Sequence, residues 1–173
     1  MNDASDVVLV EPDRAWLALF CTEGRRLIAV AAQAILEVHH VGSTAIPGIL
    51  AKPIIDVLII LRRFLNEAES VAVSMAGYEY CGEAGIPGRQ YFSRRTSPAF
   101  HLHAFLDGHA EVGRMLLFRD YLRAHPETAR EYEALKRHLA ERFRRDRAAY
   151  TDAKTDFISS VDAKAALWNP ERH

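Results

Sequence analysis

Apolar positions recur at helical spacing from about residue 13 to 33, where Trp16, Leu17, Leu19, Phe20, Leu27, Ile28 and Ala31 follow the capping residue Asp13. Gly24 weakens the middle of this stretch, yet the spacing predicts a single helix. Before it, Val7 to Val10 is a short apolar run ended by Glu11-Pro12, which reads as an edge strand or an arm. Ile35 to Val41 reads as a strand that delivers the chain into a Gly42-Ser43 turn. Lys52 to Ile60 is apolar on both faces and predicts a central strand. Helix signals return from Arg62 to Ala76 and stop at Gly77, a C-terminal cap.

Three β-like runs follow, Tyr78–Cys81, Gln90–Arg94 and Phe100–Phe105, with turn-rich separators at Gly82–Gly88 and Thr96–Pro98 that make hairpins. Asp107-Gly108 is a turn. Beyond it the pattern predicts helices over about 110–124, 126–143 and 147–168, with Pro126 tolerated in a first turn. The order predicts one α+β domain over residues 1–173. Its mixed sheet (1–109) is backed by helices, and a C-terminal helical segment (110–173) closes over one side.

A chain of 173 residues is long enough for one domain with a real core. Its net charge of −1 gives no electrostatic case for nucleic acid or membrane as a partner. Cys21 and Cys81 form neither a CxxC pair nor a disulfide framework, which fits a reducing cytoplasm. The acidic stretch Met1–Asp6 lacks the features of a signal peptide, and no apolar run approaches the ~18 residues a membrane helix needs.

The chemistry concentrates between His40 and Asp56. Gly42 permits backbone angles closed to other residues. Ser43 then stands at the start of the next helical turn, where unpaired N–H groups and the helix dipole favour an anion. Asp56 interrupts Ile54–Ile60, and a carboxylate in such a run needs an ion partner or a metal. A phosphate cradle followed by a metal-ligand acid suggests nucleotide chemistry; a common turn and an acid ending a hydrogen-bond network would leave the same trace. His39 and His40 point to opposite faces of their strand, so they cannot share a metal. His40, on the face of Gly42, is the expected site neighbour, and His39 is expected to be structural.

Gly42-Ser43 followed by Asp56 resembles the nucleotidyltransferase (polymerase-beta-like) signature. The longer match, Gly42–Gly48 with Lys52-Pro-Ile-Ile-Asp56, resembles the GrpB family within that superfamily. Gly82–Arg89, His101-Leu-His103, Phe118–Arg123 and Tyr150–Lys154 extend the likeness over nearly the whole chain. The resemblance implies a nucleotidyltransferase-like sheet in which the strands of Asp56 and of His101 and His103 are neighbours, so that the three converge. Glu83, in the glycine loop, is a candidate fourth group. Such a set would hold a divalent metal, magnesium or manganese, with zinc also suited by the imidazoles.

Leu58 stands where the superfamily places its second acid, so a two-metal site lacks a ligand unless another strand supplies one. For phosphate, the expected groups are Gly42, Ser43, Lys52 and Arg89, with Lys154 reaching in beside Tyr150 from the last helix. Arg94 and Arg95 read as a solvated hairpin tip as readily as phosphate ligands, and Arg119 and Arg123 as surface ion pairs. The expected function is metal-dependent transfer of a nucleoside monophosphate from a nucleoside triphosphate to a small-molecule acceptor, with Asp56 and Glu83 catalytic. The alternatives are a non-catalytic nucleotide- or metal-binding module and a metal-dependent phosphohydrolase.

Overall fold

The computed structural model describes residues 6–168, so all but Asp6 of the acidic N-terminal stretch lies outside the described residues. Helix α1 (Ala15–Ala31) leads to strand β1 (Ile35–Val41), a single 3-10 turn (Ser43–Ala45) and β2 (Ile54–Leu61). Then come α2 (Glu67–Met75), β3 (Glu79–Tyr80), β4 (Gln90–Arg94) and β5 (Ala99–Leu106). The chain ends in α3 (Ala110–Ala124), α4 (Pro126–Arg142), α5 (Arg147–Asp152) and α6 (Thr155–Leu167).

The five strands form one mixed sheet in the order β1-β2-β5-β4-β3, with β2 and β5 parallel and the other neighbours antiparallel. Period-two geometry divides β2 and β5 between two faces. Ile55, Val57, Ile59 and Leu61 join Phe100, Leu102 and Ala104 in a back-face core that α1 and α2 cover through Trp16, Leu27, Ala31 and Val73. A one-residue slip of β2 would carry Asp56 into that core, so its register is strongly fixed. The front face is covered unevenly. Residues of α3 seal one end over Val41, Leu58 and Phe105, and α4 and α6 pack Tyr132, Ala129, Val161 and Ala165 on Ile46 and Ile49 beyond the turn. Between these two patches the front face stays open.

Two helices differ from their predicted spans. The second starts at Glu67 rather than Arg62, because Asn66 and Glu69 form a reciprocal capping box that fixes the start there. The expected helix over 147–168 is two helices, broken at Ala153-Lys154 by a tight turn in which Lys154 N–H donates to Thr151 O. Thr151 and Asp152 are weak helix formers, and the break makes Lys154 the residue that precedes α6. The N-terminal run is an arm: only Val10 bridges, to Ala51, and Val7 N–H donates to Arg144 O.

Candidate functional site

The pairing of β2 with β5 sets Asp56 directly opposite His101, with His103 next on the same face. Asp56 Oδ1 lies 3.3 Å from His101 Nδ1 and 3.4 Å from His103 Nε2. Those separations are long for hydrogen bonds, whose usual N···O distance is about 2.9 Å. They match the ~3.3 Å between ligand atoms around a tetrahedral ion with bonds near 2.05 Å. Among the described residues, Asp56, His101 and His103 are the group of acid and imidazole side chains close enough to share one ion. Burial alone would raise the Asp56 carboxyl, but hydrogen bonds and charge from both histidines outweigh it and hold the group well below the usual carboxylate range. Asp56 is therefore an anion at any pH where the protein works, suited to holding a cation and too weak a base to take a proton.

The tautomer of His103 is set from behind. Arg89 Nη1 lies 3.1 Å from His103 Nδ1, and a guanidinium can only donate, so Nδ1 accepts and the ring proton sits on Nε2, facing Asp56. With this contact intact, His103 fastens the carboxylate as a donor. Ligation through Nε2 requires the proton to move to Nδ1 and Arg89 to release it. Asp56 and His101 thus fit a divalent ion as they stand, and His103 fits as a third ligand once Arg89 lets go.

The turn before β2 is built to let Asp56 in. Gly42 has φ +69°, and a Cβ there would stand 2.2 Å from Asp56 Oδ2. Only a residue without a side chain allows this approach. The helical turn after it spans just Ser43–Ala45, so it carries little of the dipole expected of a helix start. Charge for an anion must come from elsewhere. Arg119 donates to His40 O and Arg123 to Ala45 O at 2.8 Å, so these two clamp the turn from α3 as well as pairing with Asp120. His40 differs from expectation: it turns to the back face, stacks on Phe20 and bonds Thr44 Oγ1 at 3.0 Å. Burial pushes its imidazole down to about 4, so it is neutral and structural.

Above Asp56 is a cavity of about 390 Å³ between the sheet and the C-terminal helices, lined by Gly42, Ser43, Lys52, Tyr91, His101, Tyr132, Lys136, Arg147, Tyr150 and Lys154. Its ceiling is cationic. Lys154 Nζ lies 4.4 Å and Lys52 Nζ 5.5 Å from the centre of the Tyr150 ring, so one aromatic face gathers two ammonium groups. Lys136, almost wholly buried, donates to Leu50 O and lies over Tyr132, whose hydroxyl meets that of Ser43. Burial, then the mutual repulsion of these lysines, pushes Lys154 down to about 8 and Lys136 to about 7. Two ammonium groups strained in this way favour a bound polyanion.

Other candidates take different places. Glu83 accepts from Gly88 N–H at 2.7 Å and closes its own loop, outside the Asp56 group. Arg89 spends its fork on Glu83 O, Ala84 O and His103, and it lies outside the cavity wall. Arg94, read as a possible hairpin-tip residue, is buried on the back face in an ion pair with Glu23 at 3.2 Å. Leu58 is wholly buried among Val41, Phe105 and residues of α3, so the second-acid position is dry. Lys136, Tyr91, Tyr132 and Arg147 line the cavity but were not singled out from sequence as site residues. The signal for Lys136 was a lysine on the stripe Tyr132, Lys136, Leu139, which is the buried side of α4.

A family model described as GrpB protein matches residues 6–164. UPF0157 protein YqkA of Bacillus subtilis (strain 168) is 38% identical over 169 residues, covering 96% of this chain and 49% of that protein, so the chain spans about half the length of this relative. The crystal structure of conserved protein GrpB from Enterococcus faecalis superposes with a TM-score of 0.83 at 33% identity, covering 94% of this chain and 100% of that one. A protein named dephospho-CoA kinase, from Mycolicibacterium paratuberculosis, is 28% identical over 189 residues, covering 94% of this chain and 46% of its own length.

Proposed function

The chain belongs to the GrpB family, and on that footing we propose that it is a metal-dependent nucleotidyltransferase of the polymerase-beta-like kind that works with one cation rather than two. The observation that carries this reading is the placement of the Asp56, His101 and His103 cluster on the floor of a cavity roofed by Lys52, Lys136 and Lys154. A cation group facing a metal-capable acid across a few ångströms is what a triphosphate with its divalent ion requires. That a relative is named for a kinase acting on a nucleotide-bearing substrate agrees with nucleotide chemistry in the family.

In this reading Lys52, Lys154 and Arg147 hold the phosphates from the helical side, and Ser43 and Gly42 bound them at the turn. Asp56 and His101 hold the ion, and His103 keeps the carboxylate turned toward it. A divalent ion bound there supplies charge neutralisation at the phosphate oxygens. The acceptor's oxygen bonds to the α-phosphorus as the bond from that phosphorus to the bridging oxygen breaks. Pyrophosphate leaves, and the acceptor's proton passes to solvent. The acceptor is a small molecule, and a cytoplasmic setting suits the two free thiols, Cys21 and Cys81.

The burial of Leu58 supports a second reading, a module that binds nucleotide and metal without turnover. One experiment separates them. Purified protein is titrated with each nucleoside triphosphate in the presence of magnesium, manganese or zinc, and pyrophosphate and orthophosphate are followed with pooled small-molecule acceptors. Metal-dependent binding with pyrophosphate release, both abolished by Asp56→Asn, is the expected result. Binding without any release would establish the module, orthophosphate alone a phosphohydrolase. Failure of every triphosphate to bind with every metal would overturn the nucleotide reading.

A further inference from the structure

A second cavity, of about 610 Å³, lies on the same face of the sheet and meets the first along Lys52, Ile54, Tyr91, His101 and Arg147. Its far wall comes from the N-terminal arm (Asp6, Val8), from Cys81 and from the β4–β5 hairpin (Ser93, Arg95, Ala99). The two spaces share His101, so a molecule in the second reaches the ion-holding cluster from the side opposite the turn. Its chemistry is mixed. Val8, Pro53, Ile54 and Ala99 are apolar, and Lys52, Arg95 and Arg147 are cationic. The acid in the wall, Asp6, is matched by Arg144 at 2.9 Å, and the guanidinium of Arg94 is committed to Glu23 at 3.2 Å. What remains facing an occupant is positive charge over an apolar floor.

We propose that this second cavity is a separate binding site for an amphiphilic anion, a molecule with an apolar body and a carboxylate, sulfonate or phosphate group. The assignment of that molecule as the acceptor rests on the nucleotidyltransferase reading; the existence of the site does not. An anionic acceptor explains why the arm is held against the sheet. The Val7 N–H bond to Arg144 O and the Val10–Ala51 bridge place Val8 as part of the wall, giving the cavity a side that the sheet alone lacks. The size suits a small ligand, since such pockets commonly run from about 300 to 1,000 Å³.

Cys81 makes the site measurable, because it lines this cavity and not the first, and the other thiol, Cys21, is exposed on α1. In the Cys21→Ser protein, the rate at which iodoacetamide modifies Cys81 is measured with increasing 8-anilinonaphthalene-1-sulfonate, an aromatic body bearing one sulfonate. Its fluorescence reports binding in parallel. The expected result is saturable binding with one-to-one stoichiometry that slows Cys81 modification at least ~10-fold at saturation. Arg95→Glu and Ala99→Trp should each weaken binding at least ~10-fold, while the folded baseline stays intact by circular dichroism. The same titration is repeated with an α,β-methylene triphosphate and magnesium present. Simultaneous occupancy supports two sites. Mutual exclusion of the probe and the triphosphate, unsaturable binding, or binding that leaves Cys81 unprotected would each overturn the proposal. Protection of Cys81 in a protein that binds no triphosphate would uphold the anion site and sink the nucleotidyltransferase reading instead.

Discussion

Gly42 and Asp56 occupy one another's space: the position a Cβ would take on Gly42 lies 2.2 Å from Asp56 Oδ2. The turn and the acid are therefore a single device, in which a missing side chain on one strand end admits the carboxylate of the next. Gly42→Ala should fail twice. The backbone, at φ +69°, resists any side chain at a cost of about 1–3 kcal/mol. The methyl also drives the Asp56 carboxylate away from His101 and His103. A lowered denaturation midpoint should accompany loss of metal affinity by at least ~10-fold, both read on one preparation. Loss of stability with metal binding unchanged would show that the approach does not position Asp56.

Leu58 tests the one-ion reading from the other side. Restoring an acid with Leu58→Asp would not build a second ion site, because this side chain lies in a dry patch with Val41 and Phe105 under α3. An unpaired carboxylate there should cost at least about 3 kcal/mol. Urea denaturation checks it. A variant of native stability that gained metal stoichiometry would show that the face beyond Asp56 is open to ions.

Much of this was legible in the chain, and the reasons are physical. Strands such as Gln90–Arg94 were found because apolar runs between turn residues leave few alternatives. The two faces of β5 followed from alternation alone, and Phe100, Leu102 and Ala104 do point to a core. The meeting of Asp56 with His101 was not legible from spacing. It depends on β2 and β5 being parallel neighbours across 45 intervening residues of register, and only the family resemblance supplied that pairing. Lys136 and His40 escaped for a different reason. Each sits where local pattern predicts something else, a lysine on an apolar stripe and an imidazole whose side of the strand is decided by Phe20 and Thr44.

His40 gives a pH dependence whose sign can be worked out. Its folded-state pKa, about 4, lies below the ordinary value of 6.5, so between those limits the unfolded chain binds a proton that the folded chain refuses. Stability contributed by neutral His40 is complete above pH 6.5 and is lost as pH falls through 4, to the order of 3 kcal/mol at about 1.4 kcal/mol per unit. In His40→Gln the slope of stability against pH over this interval should flatten, with lower stability at pH 7 from the altered contact to Thr44. Denaturant titrations at half-unit steps from pH 7 to 4 measure it. An unchanged slope would assign the acid limb to other groups.

Lys154 gives the complementary case at alkaline pH. Burial, then the charge of Lys52, pushes it down to about 8, with Asp56 pulling the other way. Bringing a triphosphate beside it reverses the balance, because an anion at that distance favours the ammonium form. Nucleotide binding near pH 8 should therefore take up a proton, and affinity should fall as pH rises through 8 and beyond. Calorimetry in two buffers of different ionisation enthalpy would show proton uptake approaching one at pH 8.5 and declining toward zero at pH 6.5, where the lysine is already charged. Lys154→Met should remove most of that uptake and weaken triphosphate binding about 10-fold or more at pH 7, since it deletes one of the two ammonium groups gathered at Tyr150. Equal affinity in the two proteins, with the same buffer dependence, would mean that the phosphates do not lie under Lys154.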